Sequence, residues 1–405
     1  MPSLPPEGDP APLDGSLPVD ALTTLGSRPF GFYVHVPFCS TRCGYCDFNT
    51  YTADELGPGA SRASYVDQAV AEVRMARRVL GDVDLPVETV FVGGGTPTLL
   101  PPGDLGRILA AIRDEFGLAR GAEVTTEANP DSVTAASLAA LRDDGFTRMS
   151  FGLQSTAPHV LQVLDRTHTP GRAVDAVHEA RAVGFEHVNV DLIYATPGET
   201  EADFAASLQA VADSGADHVS AYSLIVEDGT RLAARIRRGE LPDVDDDVAA
   251  DRYLQADSAL TAAGLDWYEV SNWARPGAEC RHNLGYWRGD DWWGVGPGAH
   301  AHVGGVRWWN VRHPVAYAAR ILVGESPAQA REQLSAEDRR VEDVLLRVRL
   351  HEGLPLAMLT NAGRMVAADA VRDGLAEQSA YDEGRVRLTL RGRLLADALV
   401  RDLVD

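Results

Sequence analysis

Between residues 32 and 224 the chain repeats one pattern six times: a short β-branched run, then an amphipathic stretch. The strand-like runs fall at 32–36, 89–93, 123–127, 148–152, 187–193 and 218–224. Apolar residues at helical spacing fill the intervals, at 65–80, 104–116, 135–143, 173–183 and 201–214. Units of this kind, about thirty residues apart, build a parallel sheet with helices outside it. The expected fold class is therefore α/β, a partial (β/α)6 barrel, short of the eightfold form. A further helix at 247–263 and a strand at 266–270 extend it.

The flanks differ. Residues 1–28 are rich in Pro, Gly, Ser and Asp without a sustained period, and read as a disordered extension. The core is expected over 29–310, and a small C-terminal α+β module over 320–405. That module reads as helices at 336–350, 354–360 and 367–375, strands at 380–382 and 385–390 about an Asp382-Glu383-Gly384 turn, and a last helix at 393–403. Its order resembles a winged helix, here expected to pack rather than to touch nucleic acid. The formal charge of -22, with no basic block, argues against a phosphate-backbone partner. No apolar run approaches the ~20 residues of a membrane helix, and no signal pattern opens the chain. Cysteine usage fits a reducing compartment, so the expected location is the cytoplasm.

In parallel barrels the working groups sit at the carboxyl ends of the strands. Polar oddities gather there: Gly93-Gly94-Gly95-Thr96-Pro97-Thr98 after the second strand, Glu127-Ala128-Asn129-Pro130 after the third, Gly152-Leu153-Gln154-Ser155 after the fourth, and Asp191 near the end of the fifth. Glycines admit close backbone approach to a small polar ligand. Glu127 suits an ammonium and Asp191 ribose hydroxyls. The loop after the first strand carries Cys39, Cys43 and Cys46, three of the four cysteines; the fourth is Cys280. Structural zinc prefers four protein ligands, and no fourth lies nearby. Three thiolates on a 4Fe-4S cluster leave one iron open.

Cys39-x-x-x-Cys43-x-x-Cys46, with Tyr45 before the third cysteine, resembles the signature of the radical S-adenosylmethionine (SAM) superfamily. The resemblance implies a 4Fe-4S cluster on these cysteines, SAM on the open iron, and one-electron cleavage of its sulfonium. Tyr33 to Cys39, the GGGTPT run, Glu127 to Pro130, Phe151 to Ser155 and Leu164 to His168 further resemble the oxygen-independent coproporphyrinogen III dehydrogenase (HemN) family. On that match Tyr33, Gly94 and Glu127 contact the cluster-bound SAM. Gly95, Thr96, Gln154, Arg166 and Asp191 fall where the dehydrogenase lines a second one.

One departure separates the branches. The dehydrogenases carry a further cysteine two residues past the third ligand, and this chain has Phe48 there. Phenylalanine resembles the HemW branch, haem chaperones that hand haem to respiratory apoproteins, and argues against decarboxylation of coproporphyrinogen. The segment Cys280-Arg281-His282-Asn283-Leu284-Gly285-Tyr286-Trp287 is similar to that branch's His-Asn-x-x-Tyr-Trp motif, which implies haem at His282. The other candidate axial ligands are Cys280, His300 and His302. On residues alone, a lone histidine among aromatics is more often a hydrogen-bonded core side chain. All seven tryptophans fall between Trp267 and Trp309, which suggests a flat apolar surface around the motif. The expected partners are haem and an apo-cytochrome or similar acceptor at the inner membrane face.

Overall fold

The computed structural model describes residues 7–56 and 61–404. Six strands, β1 (Phe30–Val36), β2 (Val87–Gly94), β3 (Leu118–Ala128), β4 (Arg148–Gln154), β5 (His187–Tyr194) and β6 (His218–Ser223), lie side by side in sequence order, all parallel. Long helices such as Arg62–Leu80, Pro102–Phe116, Arg172–Val183 and Glu201–Ser214 connect them. The partial (β/α)6 barrel expected from the repeat is present.

Strand alternation explains how the barrel separates its core from its site. Phe32, Val34 and Val36 of β1 are fully buried, as are Val188 and Leu192 of β5. Their neighbours Tyr33, Asn189 and Asp191 face a small polar cavity inside the barrel. One set of alternate residues thus packs under the helices and the other supplies polar groups to the interior.

Past β6 the sheet continues in ways the repeat did not announce. An antiparallel ribbon, β7 (Asp266–Glu269) and β8 (Asn272–Ala274), pairs through β8 with β6. The next strand, β9 (Asp291–Val295), returns to the opposite edge and pairs parallel with β1. It is followed by β10 (His300–Val303), β11 (Val306–Asn310) and β12 (Ala328–Gln333) in antiparallel succession. Five of the seven tryptophans therefore furnish core rather than a flat outer surface, and Trp287 and Trp292 are half-buried. Trp273 is 0% and Trp309 2% exposed, and the Trp293 and Trp308 rings meet edge to face at 4.8 Å.

Two expected boundaries move. From residue 7 the N-terminal extension is packed, not disordered: Asp9–Pro10 pairs with β12, and Ala21 of the helix Val19–Thr23 is in the core. A Pro-rich segment with no period needs only backbone pairing at a sheet edge to be held, and such pairing leaves no apolar rhythm. Residues 1–6 lie outside the described residues. At the other end β12 still belongs to the main sheet, so the second unit begins with the helix Ala336–Arg347 rather than at residue 320.

That second unit has its own apolar core, including Val344, Leu354, Val386 and Leu403. Its short elements differ from expectation. Residues 354–360 form a strand, Leu354–Pro355, and the single turn Leu356–Met358, because Leu354 and Pro355 are drawn into pairing with Val386 and Arg385. Residues 380–382 end the helix Gln378–Asp382, and Arg385–Val386 pairs with Leu354–Pro355 instead. The unit leans on the barrel through the Arg393–Asp257 ion pair at 2.8 Å and a β-bridge between Glu269 and Leu350.

Candidate functional site

The loop leaving β1 is fixed by backbone bonds on every side. Cys39 N–H donates to Tyr51 O (3.0 Å), Tyr51 N–H to Pro37 O (2.7 Å), and Gly44 N–H to Leu164 O (3.0 Å). Gly95 N–H and Thr96 N–H donate to Val36 O (2.8 Å) and Phe38 O (2.7 Å). The glycine run thus lies directly against the cysteine loop. A Cβ on Gly95 would collide with the Phe38 carbonyl and stand only 3.0 Å from Cys39 Sγ. Asn49 ties the far end of the loop to Pro297 O (2.9 Å) and Arg312 O (2.8 Å). Beneath it His35 accepts from Tyr33 OH through Nδ1 (3.0 Å) and donates from Nε2 to Asn49 O (2.9 Å). Since a carbonyl only accepts, that second bond assigns the tautomer. Burial holds His35 neutral, its pKa lowered to about 4.

Cys39, Cys43 and Cys46 are free and half-buried. Burial pushes the Cys46 thiol up to about 11 and raises Cys39 as well, so without a bound cation these sulfurs keep their protons. Arg166 Nη1 lies 3.5 Å from Cys43 Sγ, and its Nη2 donates to Gly152 O (2.8 Å). Among the described residues no three Cys, His, Asp or Glu side chains converge as around a single metal ion. Three thiols on one short loop, with a guanidinium beside one of them, are the donor set of a 4Fe-4S cluster that leaves one iron open.

The strand ends above the barrel carry groups prepared for a ligand. Glu127 accepts from Gly94 N–H (3.1 Å), and burial together with the Asp191 charge pushes its pKa to about 8. Asp191 accepts from Asn189 Nδ2 (2.7 Å) and Ser150 OH (3.2 Å), and burial raises it too. Gln154 Oε1 and Arg166 Nε are buried without a partner. Gln154 also sits at φ 65, and Asp165 and Ala195 at φ 52 and φ 62, the three non-glycine residues with positive φ among the described residues. Backbone strain and orphaned polar atoms at one mouth are what a ligand site costs in its absence. A cavity of about 1020 Å³ opens here, with Cys46, Phe48, Glu127, Gln154 and Asp191 on its wall.

Of the residues singled out in the sequence, the mouth gathers the three cysteines, Gly94, Gly95, Thr96, Glu127, Gln154, Arg166 and Asp191. Tyr33 lies one step down, lining the small interior cavity with Glu127 and Asp191. His282 is elsewhere. Its ring Nδ1 is 2.8 Å from Thr89 Oγ1, near the amino end of β2, and Thr89 is paired in register with Gly31 and Glu123. That is the floor of the barrel, roughly 16 Å from Gly94 at the rise of a parallel strand. The helix Arg281–Arg288 closes this floor. Glu123 accepts from the first backbone N–H groups of that helix, Arg281 (3.1 Å) and His282 (3.0 Å), and pairs with buried Arg148 at 3.5 Å.

On this floor His282, the residue at which the resemblance implies haem, is held by its neighbours. Its other nitrogen, Nε2, meets Tyr286 OH at 2.9 Å, and its ring stacks on Phe91 at 5.4 Å. Both nitrogens are engaged, and burial lowers its pKa to about 3. Cys280 is on the same floor, 3.5 Å from Glu123, its thiol pushed up to about 12 by burial. His302 Nδ1–H donates to Asp290 O (3.0 Å), and His300 stacks on Trp309. None of the four lines the mouth cavity.

Sequence reasoning missed the polar interior of β4 to β6. Ser150, Asn189 and Ser220 form a network below Asp191, with Asn189 Nδ2 donating to Ser150 (2.6 Å) and Ser220 (3.1 Å). The signal was present as polar residues alternating with valines in a strand buried on both faces.

Residues 33–211 match the family model described as Radical SAM superfamily. Over 384 residues the chain is 55% identical to Heme chaperone HemW of Mycobacterium tuberculosis, spanning 95% of this chain and 97% of that one. It is 33% identical to Heme chaperone HemW of Escherichia coli, over 81% and 84% of the two chains. Radical S-adenosyl methionine domain-containing protein 1, mitochondrial, of Bos taurus is 39% identical over 68% of this chain and 61% of its own. Among solved structures, coproporphyrinogen III oxidase (HemN) of Escherichia coli superposes with a TM-score of 0.79 over 95% of this chain and 92% of that one, at 24% identity, which shows a shared fold. This chain belongs to the HemW family of the radical SAM superfamily.

Proposed function

We propose that the protein is a haem carrier built on a radical SAM scaffold. In this reading it binds haem and hands it to an apoprotein such as an apo-cytochrome at the inner face of the membrane. Cys39, Cys43 and Cys46 hold a 4Fe-4S cluster. Tyr33, Gly94, Gly95, Thr96, Glu127, Gln154, Arg166 and Asp191 serve SAM. When bound, cluster and SAM together supply one-electron chemistry. The chain's own part is to orient: glycine at 93 and 94 lets the strand end close on Glu127 and His35, where a Cβ would collide, and Glu127 exchanges its proton for a charge-paired hydrogen bond to an ammonium. Gln154 and Arg166 satisfy their orphaned atoms.

Phe48 carries the choice of carrier over dehydrogenase. It occupies the position of the dehydrogenase's extra thiol, is 59% exposed, and presents a ring to the mouth cavity. A phenyl ring neither donates a proton nor ligates iron, but it does cover an apolar face. Among the described residues no helix is long and apolar enough to cross a membrane, which is consistent with a carrier acting from the cytoplasm. An anaerobic assay with reductant, SAM and coproporphyrinogen III decides the matter. No protoporphyrinogen IX is expected; its formation would establish the dehydrogenase instead.

A further inference from the structure

Asp191 stands where the two cavities meet, on the wall of the mouth cavity and of the small interior one. From it a row of hydrogen bonds descends to the floor, one strand at a time. Asn189, two residues back on the same face of β5, donates from Nδ2 to Asp191 (2.7 Å). Its Oδ1 meets His218 Nδ1 at 2.6 Å, across the register pair that joins β5 to β6. His218 Nε2 meets Tyr268 OH of β7 at 2.7 Å. The Tyr268 oxygen then accepts from Asn283 Nδ2 (3.4 Å), and Asn283 belongs to the floor helix, next to His282.

Every proton in this row has one allowed place. An amide oxygen only accepts, so His218 carries its hydrogen on Nδ1. Burial holds the ring neutral, so Nε2 is bare and the Tyr268 hydroxyl donates to it. All four donors therefore point the same way, from Asn283 toward the Asp191 carboxylate. Bonds aligned head to tail polarise one another in a low-dielectric interior, and a carboxylate at the end pulls on the whole row. Asn189, His218 and Tyr268 are buried, so solvent does little to screen that pull. At the far end the Asn283 amide has two acceptors, Tyr268 OH at 3.4 Å and Glu269 Oε1 at 3.1 Å. Its position between them is where a change of pull is felt.

Resting on the reading that Asp191 serves SAM, we propose that this row couples the SAM site at the mouth to the His282–Asn283 motif on the floor, with His218 and Tyr268 as positioning residues. A ligand hydroxyl that donates to Asp191 draws on the same carboxylate charge. It thereby weakens the pull on the row and releases Asn283 toward Glu269. The effect is reciprocal: whatever breaks the row leaves more of the carboxylate to the ligand. Neither His218 nor Tyr268 lines the mouth cavity, so neither touches a ligand there. The floor motif is the one at which the resemblance implies haem, so on the carrier reading the occupancy of the mouth sets how firmly the cargo end is held.

The test uses the full chain reconstituted with its cluster under anaerobic conditions. SAM affinity is measured by equilibrium dialysis, and amide hydrogen exchange across 281–288 is followed with and without SAM. In the unaltered chain SAM is expected to speed exchange there by about fivefold. Tyr268→Phe, which removes only a hydroxyl, is expected to abolish that response and to tighten SAM binding by about fivefold, whereas a merely structural lesion loosens it. His218→Leu is expected to act like Tyr268→Phe, and His218→Gln, which keeps a donor and an acceptor, to retain the response. Tyr317→Phe deletes a buried hydroxyl on Glu72, off the row, and is expected to change neither measurement. Bound SAM that leaves the floor amides unchanged overturns the coupling while the carrier reading stands. So does a Tyr268→Phe chain that keeps the response or binds SAM more weakly, Gln and Leu behaving alike at 218, or the same changes in Tyr317→Phe. Failure of the unaltered, reconstituted chain to bind SAM overturns instead the SAM site on which the coupling rests.

Discussion

Cys43 and Cys280 are the same residue type in opposite chemical situations. Cys43 is half-buried on the loop with a guanidinium 3.5 Å from its sulfur; Cys280 is buried on the floor beside a carboxylate at the same distance. Cys43 shares its loop with Cys39 and Cys46, as a cluster needs, whereas burial and the Glu123 charge hold Cys280 as a thiol. In protein reconstituted with iron and sulfide, Cys43→Ser is expected to abolish the broad visible absorbance of the cluster and most of the bound iron. Cys280→Ser is expected to retain both, so iron content and spectrum of the two variants check the assignment. Glu72 offers a second test at this scale. It is 1% exposed and accepts from Tyr317 OH (2.6 Å), Asn310 Nδ2 (2.7 Å) and Gly296 N–H (2.8 Å). Burial outweighs these donors and raises its pKa from 4.5 to about 7. A carboxyl whose folded pKa is raised binds its proton more tightly when folded. Its contribution is thus complete below about pH 4.5 and is lost as pH rises through about 7. Glu72→Gln is expected to remove up to about 3 kcal/mol of that decline between pH 5 and pH 8. It is also expected to carry a pH-independent loss of about 1–2 kcal/mol from one mismatched hydrogen bond. Urea denaturation of both proteins across this range separates slope from offset.

At the scale of elements, the six parallel strands were legible because short β-branched runs recur between amphipathic helical stretches. Several also end in residues that break the run, such as Gly93-Gly94-Gly95 and Gln154. The mouth of the site was legible for the same reason, since the strand-end rule places those breaks together. The floor was not. Arg281–Arg288 reads as an isolated aromatic motif, and only the register of Gly31, Thr89 and Glu123 across β1 to β3 shows which end of the barrel it meets. Nothing local in its sequence encodes that contact. β9 was hidden likewise, because Asp291-Trp292-Trp293 lacks the β-branched rhythm of the earlier strands. The floor depends on Glu123, which caps the helix and balances Arg148 at 1% side-chain exposure. Removing one partner of a buried pair strands the other charge. Glu123→Ala is expected to lower stability by about 3–5 kcal/mol, with lost protection of the 281–288 amides in hydrogen exchange. Replacing Glu123 and Arg148 together by apolar residues is expected to cost less than either single change. A double variant as unstable as the sum of the singles would show that the two act independently.

For the molecule as a whole, the question is what keeps the C-terminal module over the barrel mouth. Its own short strands were misread because two-residue strands such as Leu354–Pro355 and Arg385–Val386 carry no periodicity. Its position, however, follows from a few strong contacts. Arg393 reaches out of the module to Asp257 with Nη1 at 2.8 Å and Nη2 at 3.1 Å, a two-pronged pair whose side chains are 11% and 14% exposed. The same guanidinium lies over the Trp267 ring, 4.4 Å from its centroid, and Trp273 Nε1–H donates to Asp257 at 3.1 Å. Planar stacking and a two-pronged carboxylate are both arginine geometry, so lysine at 393 is not conservative. A double-mutant cycle on Arg393→Ala and Asp257→Asn is expected to give a coupling of about 1–3 kcal/mol, well above that of an exposed pair. Because Arg393 and Trp267 both wall the mouth cavity, Arg393→Ala is also expected to raise amide exchange across 336–404. Arg393→Lys is expected to fall between Ala and the unaltered chain in that measurement. Equal behaviour of Lys and Arg would mean that charge alone, rather than the stacked and forked contact, holds the module in place.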